Sequence, residues 1–340
     1  MPILLSHNSA LERLRSVPPQ VDTARTLDVP LPIRSLSTAP SELRGMDLTS
    51  LGIRQLPVHH LVPSTKHQPQ GGKARQHRCG LDAIPAGLVR EIEPNVYAAG
   101  PELCFIQMAQ VTSLLGAVVL GHELCGSYSH FAQMVSGFYE RPPLTSVERI
   151  SQAIEQLDGM YGTNRARKAL QWVRDGSESP METVVSCMLN LPTDMGGFGL
   201  VAPELNYEVK LDEVGRQITG TRTVRVDSGY PAQRVGLEYD GKDYHRDAVK
   251  DRLRREALMH EGWTVFLIDV DEMGDWKKLK NKVDLLGEVG RQHGSGEVEK
   301  AKGRTLLSRL LKATRCGVGL NAALFGTHVP KGVVKVHVQG

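Results

Sequence analysis

Residues 221–270 read TRTVRVDSGYPAQRVGLEYDGKDYHRDAVKDRLRREALMHEGWTVFLIDV. Apolar and polar residues alternate before Asp227 and again around Glu238, which predicts two strands. A polar helix over 244–260 and an apolar strand over 263–269 are predicted to follow. A sheet whose strands are joined through a helix is typical of the α/β class, and we predict that class for this segment.

Acidic residues lie at the ends of the two predicted strands. Asp227 ends the first, and Glu238 and Asp240 occupy alternate positions of the second. Side chains two residues apart on a strand point to the same face, so we expect Glu238 and Asp240 side by side. Carboxylates packed together repel each other unless a cation or a shared proton relieves the repulsion. This pattern predicts a divalent-metal site, and a solvated acidic cluster is the alternative.

The length of the chain and its turn-forming residues predict several segments. With 340 residues, the chain is longer than a typical single domain. The run RDGSESP at 174–180 predicts a boundary, after which Ser179 caps a helix with Pro180 at its first position. We predict a mostly helical α+β N-terminal module, made of an α+β part (1–100) and a helical connecting layer (101–176). It is followed by the α/β domain (177–292) and a basic, partly flexible tail (293–340).

Four histidines lie in or near a polar segment of the N-terminal module. Residues 64–80 are rich in glycine and basic residues and predict a mobile loop. The spacing of the histidines is not diagnostic of a metal site, so surface positions are expected in preference to a loose metal cluster. These histidines are His59, His60, His67 and His77.

Charge and cysteine usage limit the classes of protein. The net charge is +3, but basic residues outnumber acidic ones along 54–78, along 246–255 and after 276. Such patches are compatible with a polyanionic partner, and also with ordinary solvated helices. The five cysteines form no CxxC pair, which argues against a zinc ribbon or a disulfide framework and favours a reducing compartment. Cys104 and Cys125 lie on apolar helices and are expected to be buried thiols.

Membrane segments are not expected. The N-terminal residues lack the long apolar run of a signal peptide. The longest apolar run, 114–121, is far shorter than the roughly 20 residues that cross a bilayer. The sequence therefore predicts a soluble, cytoplasmic protein without a membrane partner.

Four blocks in order resemble a known family. They are SPME (179–182), VRVDSGYP (224–231), VGLEYDGKDYH (235–245) and GWTVFLID (262–269). Together they resemble the Vsr-like (very-short-patch-repair type) endonuclease domain, a branch of the PD-(D/E)XK nuclease superfamily, over about residues 177–292. The resemblance implies a three-layer fold with a mixed sheet flanked by helices. It also implies metal-dependent hydrolysis of DNA phosphodiester bonds, in phage defence or mobile-element biology.

The resemblance assigns roles to residues of this chain. The catalytic candidates are Glu182, Asp227, Glu238, Asp240 and His245. The metal, Mg²⁺ or Mn²⁺, is expected on Asp227, Glu238 and the carbonyl of Tyr239. The DNA-contacting candidates are Arg246, Lys250, Arg252, Arg254 and Arg255.

This sequence departs from the superfamily pattern in two places. Asp240 stands where the wider superfamily has lysine, which leaves His245 or Lys242 as the nearest replacement. The block SGYP at 228–231 also differs from the aromatic-rich sequence usual there. An acid such as Glu182 is moreover favourable in any first helical turn because of the helix dipole. The alternative function is therefore a DNA-binding or antitoxin-like regulator built on an inactive nuclease fold.

The N-terminal segments carry a fainter resemblance. SHNSALERLR (6–15) and VYAAGPELCFIQMA (96–109) resemble bacterial abortive-infection, type IV antitoxin-like proteins. That resemblance implies an N-terminal module that binds DNA, together with a toxin or another operon product as a partner.

Overall fold

A computed structural model of the chain describes residues 1–39, 43, 46–63, 72–131, 137–240, 248–286 and 300–315. In chain order, strands β1 to β14 are Ile3–Leu5, Arg25–Thr26, Leu31–Pro32, Val58–Pro63, Ala74–Cys79, Ala83–Ile84, Val89–Glu93, Val96–Ala99, Tyr128–His130, Phe138–Glu140, Glu204–Lys210, Thr223–Tyr230, Val235–Asp240 and Thr264–Asp269. Helices α1 to α11 are His7–Ser16, Pro101–Val111, Leu114–Cys125, Val147–Gln156, Thr163–Leu170, Pro180–Asn190, Glu213–Thr219, Ala248–His260, Val270–Gly274, Trp276–Asp284 and Lys300–Arg315. None of these helices has both the length and the apolar character needed to span a bilayer.

The N-terminal sheet has six strands in the order β2-β7-β8-β1-β4-β5. Strand β1 is parallel to β8 and antiparallel to β4, and β4 is parallel to β5. The prediction of a loop over 64–80 is wrong for residues 74–79, which form β5, while 64–71 lie outside the described residues. Strand β5 ends the described sheet, so several of its polar side chains face solvent, as is common on edge strands. Its sequence therefore resembles that of a loop.

Two of the histidines expected at the surface are buried. His59 and His60 of β4 are 7% and 0% exposed, because β1, β5 and the first helix pack around this strand. His77 of β5 is partly buried, and His67 lies outside the described residues.

Helices concentrate in the predicted connecting layer, whereas strands dominate residues 1–100. Helices α2 and α3 are buried on nearly all sides, as their continuous apolar character predicts. The buried thiols predicted at Cys104 and Cys125 are confirmed. Ser113 caps α3 by accepting a hydrogen bond from the backbone of Gly116 at 3.0 Å.

A four-stranded sheet follows in the order β11-β12-β13-β14. The first three strands are antiparallel neighbours, and β14 returns parallel to β13 after α8. Helix α8 packs on this sheet through a cluster that includes Val226, Leu258 and Trp263. Helix α6 contacts β12 and β13 through a different apolar cluster. The α/β class predicted for this part of the chain is confirmed.

The largest apolar cluster continues through the whole described chain. It contains Leu4 of the N-terminal sheet, Phe105 of α2, Met188 of α6, Ile268 of β14 and Leu310 of α11. All four predicted segments therefore contribute to one core, and the boundaries between them stay predictions.

A glycine in α3 lies at a closely packed point of this core. A Cβ atom at Gly121 would lie 2.4 Å from Cγ2 of Val173 and 3.1 Å from Cε2 of Phe105. We expect Gly121→Ala to lower the free energy of unfolding by about 1–3 kcal/mol through overpacking, even though alanine favours a helix. Urea unfolding measures the change. Gly80→Ala, where nothing lies within 4 Å of the new atom, is the control, and equal stability of the two variants would contradict the prediction.

Candidate functional site

Three acidic side chains from separate elements meet beside the C-terminal sheet. Glu182 lies in the first turn of α6, Asp227 in β12 and Glu238 in β13. The register pairs Ser228 with Leu237, so Asp227 and Glu238 occupy the next opposed positions of neighbouring strands. Burial raises the pKa of both Glu182 and Glu238 to about 7, and the nearby charge of Asp227 contributes to both shifts. We call Glu182, Asp227 and Glu238 the carboxyl cluster.

Local hydrogen bonds hold Glu182 in place. Its N–H donates to the capping Oγ of Ser179 at 3.2 Å, as the sequence predicts for this helix start. Its Oε2 accepts hydrogen bonds from the N–H of Glu178 at 2.8 Å and from Nδ2 of Asn206 at 2.7 Å. No sequence pattern marks Asn206 as a site residue. Its backbone has a φ of 49°, a conformation that asparagine tolerates better than most residues.

The other two acids differ in how their oxygens are paired. Oδ2 of Asp227 accepts a hydrogen bond from the N–H of Tyr239 at 2.9 Å, and burial raises the pKa of Asp227. Oε2 of Glu238 forms an ion pair with Nη2 of Arg254 at 2.9 Å. Oε1 of Glu238 is buried and has no hydrogen-bond partner in the described part of the chain. An unpaired, buried carboxyl oxygen is costly, which marks this atom as a place for a ligand or a proton.

Arg254 links α8 to the sheet. Besides its ion pair with Glu238, its Nη1 donates to the carbonyl of Arg225 at 3.0 Å. The side chain of Arg225 in turn forms an ion pair with Oε1 of Glu178 at 2.6 Å. The structure thus places Arg254, which the resemblance assigns to DNA contact, directly on a member of the carboxyl cluster.

The structure describes four of the seven other candidates. Asp240 is partly buried and opposite Asp269 in the parallel register of β13 and β14. Of the basic residues on α8, Lys250 and Arg252 are exposed and Arg255 is partly buried. Nε of Arg252 lies 3.9 Å from Oε1 of Glu256, one helical turn further along α8. Three other candidates, Lys242, His245 and Arg246, lie outside the described residues.

The fit of a divalent cation can be judged from the oxygens. Within the described ranges, no group of three or more histidine, cysteine, aspartate or glutamate residues is arranged as a metal site. The bonds above involve one oxygen of each acid: Oε2 of Glu182, Oδ2 of Asp227 and Oε2 of Glu238. The second oxygen of each of these three carboxyl groups is not involved in these hydrogen bonds. A donor set of carboxylate oxygens fits Mg²⁺ or Mn²⁺.

The raised pKa of Glu182 has a consequence for stability. Because the folded-state pKa of about 7 lies above the ordinary value of 4.5, the native state keeps a proton that the unfolded state releases. The free energy of unfolding therefore falls as pH rises from about 4.5 to about 7. Glu182→Gln removes the charge and keeps an oxygen for Asn206. We expect it to stabilise the protein more at pH 8 than at pH 5, as measured by urea unfolding.

The control for this prediction is Glu148→Gln, which removes an exposed carboxyl group on α4. A stability change for Glu182→Gln that is equal at both pH values, or larger at pH 5, would show that the Glu182 carboxyl group is not destabilised in its charged form.

The chain matches no known protein family, no characterised protein and no solved structure. The resemblance to Vsr-like endonucleases therefore rests on the four sequence blocks alone.

Proposed function

We propose that this chain is a metal-dependent DNA endonuclease of the PD-(D/E)XK type, with its α/β domain in the C-terminal half. The observation that carries the proposal is the meeting of Glu182, Asp227 and Glu238 from three elements, with one buried oxygen of Glu238 left without a partner among the described residues. Such a concentration of carboxyl groups is unfavourable in a purely structural role, and perturbed pKa values of this kind cluster at functional sites. The activity fits phage defence or mobile-element biology.

Asp227, Glu238 and the carbonyl of Tyr239 are the groups that would hold Mg²⁺ or Mn²⁺. The hydrogen bond from the N–H of Tyr239 to Asp227 holds the backbone of Tyr239 next to the carboxyl cluster, which supports the assignment. A cation bound there supplies Lewis-acid stabilisation of the phosphate charge and lowers the pKa of a water molecule. Asp227 and Glu238 would bind it as carboxylates, so proton release accompanies loading.

The other residues position groups and move protons. With a pKa of about 7, Glu182 can exchange a proton near neutral pH, which suits a general base or acid. Glu178 and Asn206 orient its Oε2 through their hydrogen bonds. Arg254 orients Glu238. Lys250, Arg252 and Arg255 are assigned to the phosphate backbone, which makes DNA affinity fall as salt rises.

A second candidate function is favoured by one observation. Arg254 already pairs with Glu238, and an arginine ion pair can replace a metal in balancing a buried carboxylate. With Asp240 in place of the superfamily lysine, the same fold would serve as a non-catalytic DNA-binding or antitoxin-like regulator. Its partners would be DNA and a toxin or other operon product.

The test is a cleavage assay with the full chain. Supercoiled plasmid and single-stranded DNA are incubated with Mg²⁺, with Mn²⁺ and with EDTA. The endonuclease proposal expects nicking or cutting with either metal and none with EDTA. Salt-sensitive DNA binding without cleavage under any of these conditions supports the regulator instead.

A further inference from the structure

Helices α10 and α11 hold a concentration of positive charge outside the carboxyl cluster. Together they contain ten lysines and arginines and a single acidic residue, Asp284, so their net charge is +9. The whole chain has a net charge of +3, and its other residues therefore carry −6. The positive charge of this protein is concentrated on two helices, which favours a polyanionic partner for this part of the chain.

The two helices pack together through their apolar sides. Gly303 of α11 lies directly on the ring of Trp276 of α10, where an added Cβ atom would clash with the ring. Leu306, Leu307 and Leu310 of α11 are buried in the largest apolar cluster. The apolar side of α11 is therefore used by the core, and its polar side faces solvent.

Five basic side chains on these helices are exposed. The charges of Lys278 and Arg304 both act on Asp275, the N-cap residue of α10, so Arg304 lies near the start of that helix. Lys302 and Arg309, two turns apart on α11, line the same groove. We call the five exposed residues the α10–α11 surface: Lys277, Lys278, Lys302, Arg304 and Arg309.

Few carboxylates neutralise the α10–α11 surface. Within the described ranges, no carboxylate lies at ion-pair distance from Lys277, Lys278, Arg304 or Arg309. Helix α11 contains no acidic residue, so its like charges repel each other without compensation.

The basic residues of α8 differ in this respect. Arg254 pairs with Glu238, and Arg252 lies close to Glu256. More positive charge is therefore open to a polyanion on α10 and α11 than on α8.

The composition of the α10–α11 surface indicates which polyanion fits. Proteins that hold single-stranded nucleic acid stack its bases on exposed aromatic rings, but Trp276 is the only aromatic residue of the two helices and is 4% exposed. A helix that lies on a membrane inserts its apolar side, which α11 uses in the core. The phosphate backbone of a DNA duplex requires only well-placed lysines and arginines.

We infer that the α10–α11 surface binds the phosphate backbone of double-stranded DNA, in addition to the contacts assigned to α8. The choice of DNA as the polyanion rests on the proposed function. Contacts of this kind position a duplex without reading its sequence. They release counterions from the DNA, so the affinity they contribute falls steeply as the salt concentration rises.

A groove beside α11 gives a phosphate group room next to two of these residues. It has a volume of about 360 Å³ and is lined by Lys302 and Arg309 on one side and by Leu115 and Met195 on the other. Asp194, an exposed acid, also lines it and opposes an anion there. Asp194→Asn is therefore expected to tighten DNA binding severalfold, and weaker binding by this variant would contradict a phosphate in the groove.

Fluorescence anisotropy with the full chain and a labelled DNA duplex tests the surface. The titrations are done in EDTA, so that metal-dependent cleavage does not interfere, and over a range of NaCl concentrations. The triple variant Lys302→Gln/Arg304→Gln/Arg309→Gln is expected to bind about tenfold to a hundredfold more weakly at low salt. The slope of log Kd against log salt concentration should fall by about two to three, because each lost phosphate contact removes about 0.9.

Two further variants separate this surface from general charge effects. Lys168→Gln/Lys210→Gln/Arg222→Gln removes the same charge from exposed positions on other elements, and should keep the wild-type slope. Lys277→Gln/Lys278→Gln changes α10 alone and should lower the slope by about one to two. Thermal unfolding checks that each variant is folded. The α11 variant should be at least as stable as the wild type, because it relieves repulsion between like charges.

Four outcomes overturn the inference. They are no binding of the duplex by the wild type, equal binding by the two triple variants, tighter binding of a single-stranded oligonucleotide of the same length, and tighter binding of phosphatidylserine vesicles than of the duplex. Plasmid nicking in Mg²⁺ is measured separately. Nicking by the wild type together with unchanged duplex binding by the α11 variant would remove this surface and leave the endonuclease. Weaker duplex binding by that variant, in a chain that does not nick DNA, would support this surface and the regulator.

Discussion

Replacing Asp227 by asparagine is expected to reduce metal-dependent DNA cleavage by about a hundredfold to a thousandfold, because a lost metal contact removes several kcal/mol of transition-state stabilisation. Asparagine keeps an oxygen for the N–H of Tyr239, which now bonds Oδ2 at 2.9 Å, so the strand pairing is preserved. Glu238→Gln, and the double variant, are expected to lose as much activity or more. The rate of plasmid nicking in Mg²⁺ measures the effect.

Stability measurements on these variants distinguish the loss of a catalytic group from unfolding of the protein. Burial raises the pKa of Asp227, so its charged form is unfavourable in the folded state. Asp227→Asn should therefore be at least as stable as the wild type at pH 8, by urea unfolding. Glu208→Gln, an exposed change on neighbouring β11, is the activity control. Wild-type cleavage by Asp227→Asn in Mg²⁺ would remove Asp227 from the proposed mechanism.

Replacing Glu123 by alanine is expected to lower the free energy of unfolding by about 3–5 kcal/mol, the usual cost of breaking a buried ion pair on one side. Glu123 of α3 is fully buried and pairs with Arg15 of α1 through two bonds, of 2.8 Å and 2.5 Å. Its Oε1 also accepts a hydrogen bond from the N–H of His130 at 3.1 Å. The substitution leaves the Arg15 guanidinium buried without its counter-charge.

The ion pair between Arg15 and Glu123 also predicts that the stability of the protein depends on pH. Burial alone would raise the pKa of Glu123, but the charge and hydrogen bonds of Arg15 outweigh it and lower the pKa to about 2. As pH falls, the Glu123 carboxylate therefore takes up a proton at a higher pH in the unfolded state than in the folded state. The stability that Glu123 contributes is present above about pH 4.5 and is lost as pH approaches 2.

Urea unfolding near neutral pH measures the loss. Asp284→Ala, which breaks the exposed pair with Lys280 at 2.7 Å on α10, is the control and should cost about 0.5 kcal/mol or less. The double variant Arg15→Met/Glu123→Leu should recover much of the loss, because it removes the buried Arg15 charge together with its partner. A Glu123→Ala variant within about 1 kcal/mol of the wild type would contradict a structural role for this ion pair.

The periodicity of the sequence predicted the elements that are long or well capped. Helix α6 begins at Pro180 after Ser179, as the capping pattern indicates, and β13 and β14 follow their alternating and apolar segments. Some short elements carry no such signal. Strand β1 is only three residues long, and α7, Glu213–Thr219, lies in a polar segment. Neither contains enough residues to show a period.

The strand pattern of the sequence identified Asp227 and Glu238 of the carboxyl cluster, and the family resemblance added Glu182. Neither of them identified Asn206 or the pairing of Arg254 with Glu238. The resemblance assigned Arg254 to DNA contact together with its basic neighbours on α8. A side chain's partner on another element depends on how helix and sheet pack, and no local pattern records that packing.

The sequence alone determines the periodicity of apolar residues, the helix ends and the kind of side chain at each position. What the tertiary structure adds is which of these side chains meet and how much water remains around them. His7, His59 and His77 come together because β5 pairs with β4 and α1 packs on β4. Burial then sets their pKa values, and those of Glu182 and Glu238, since the cost of holding a charge depends on the atoms that replace water.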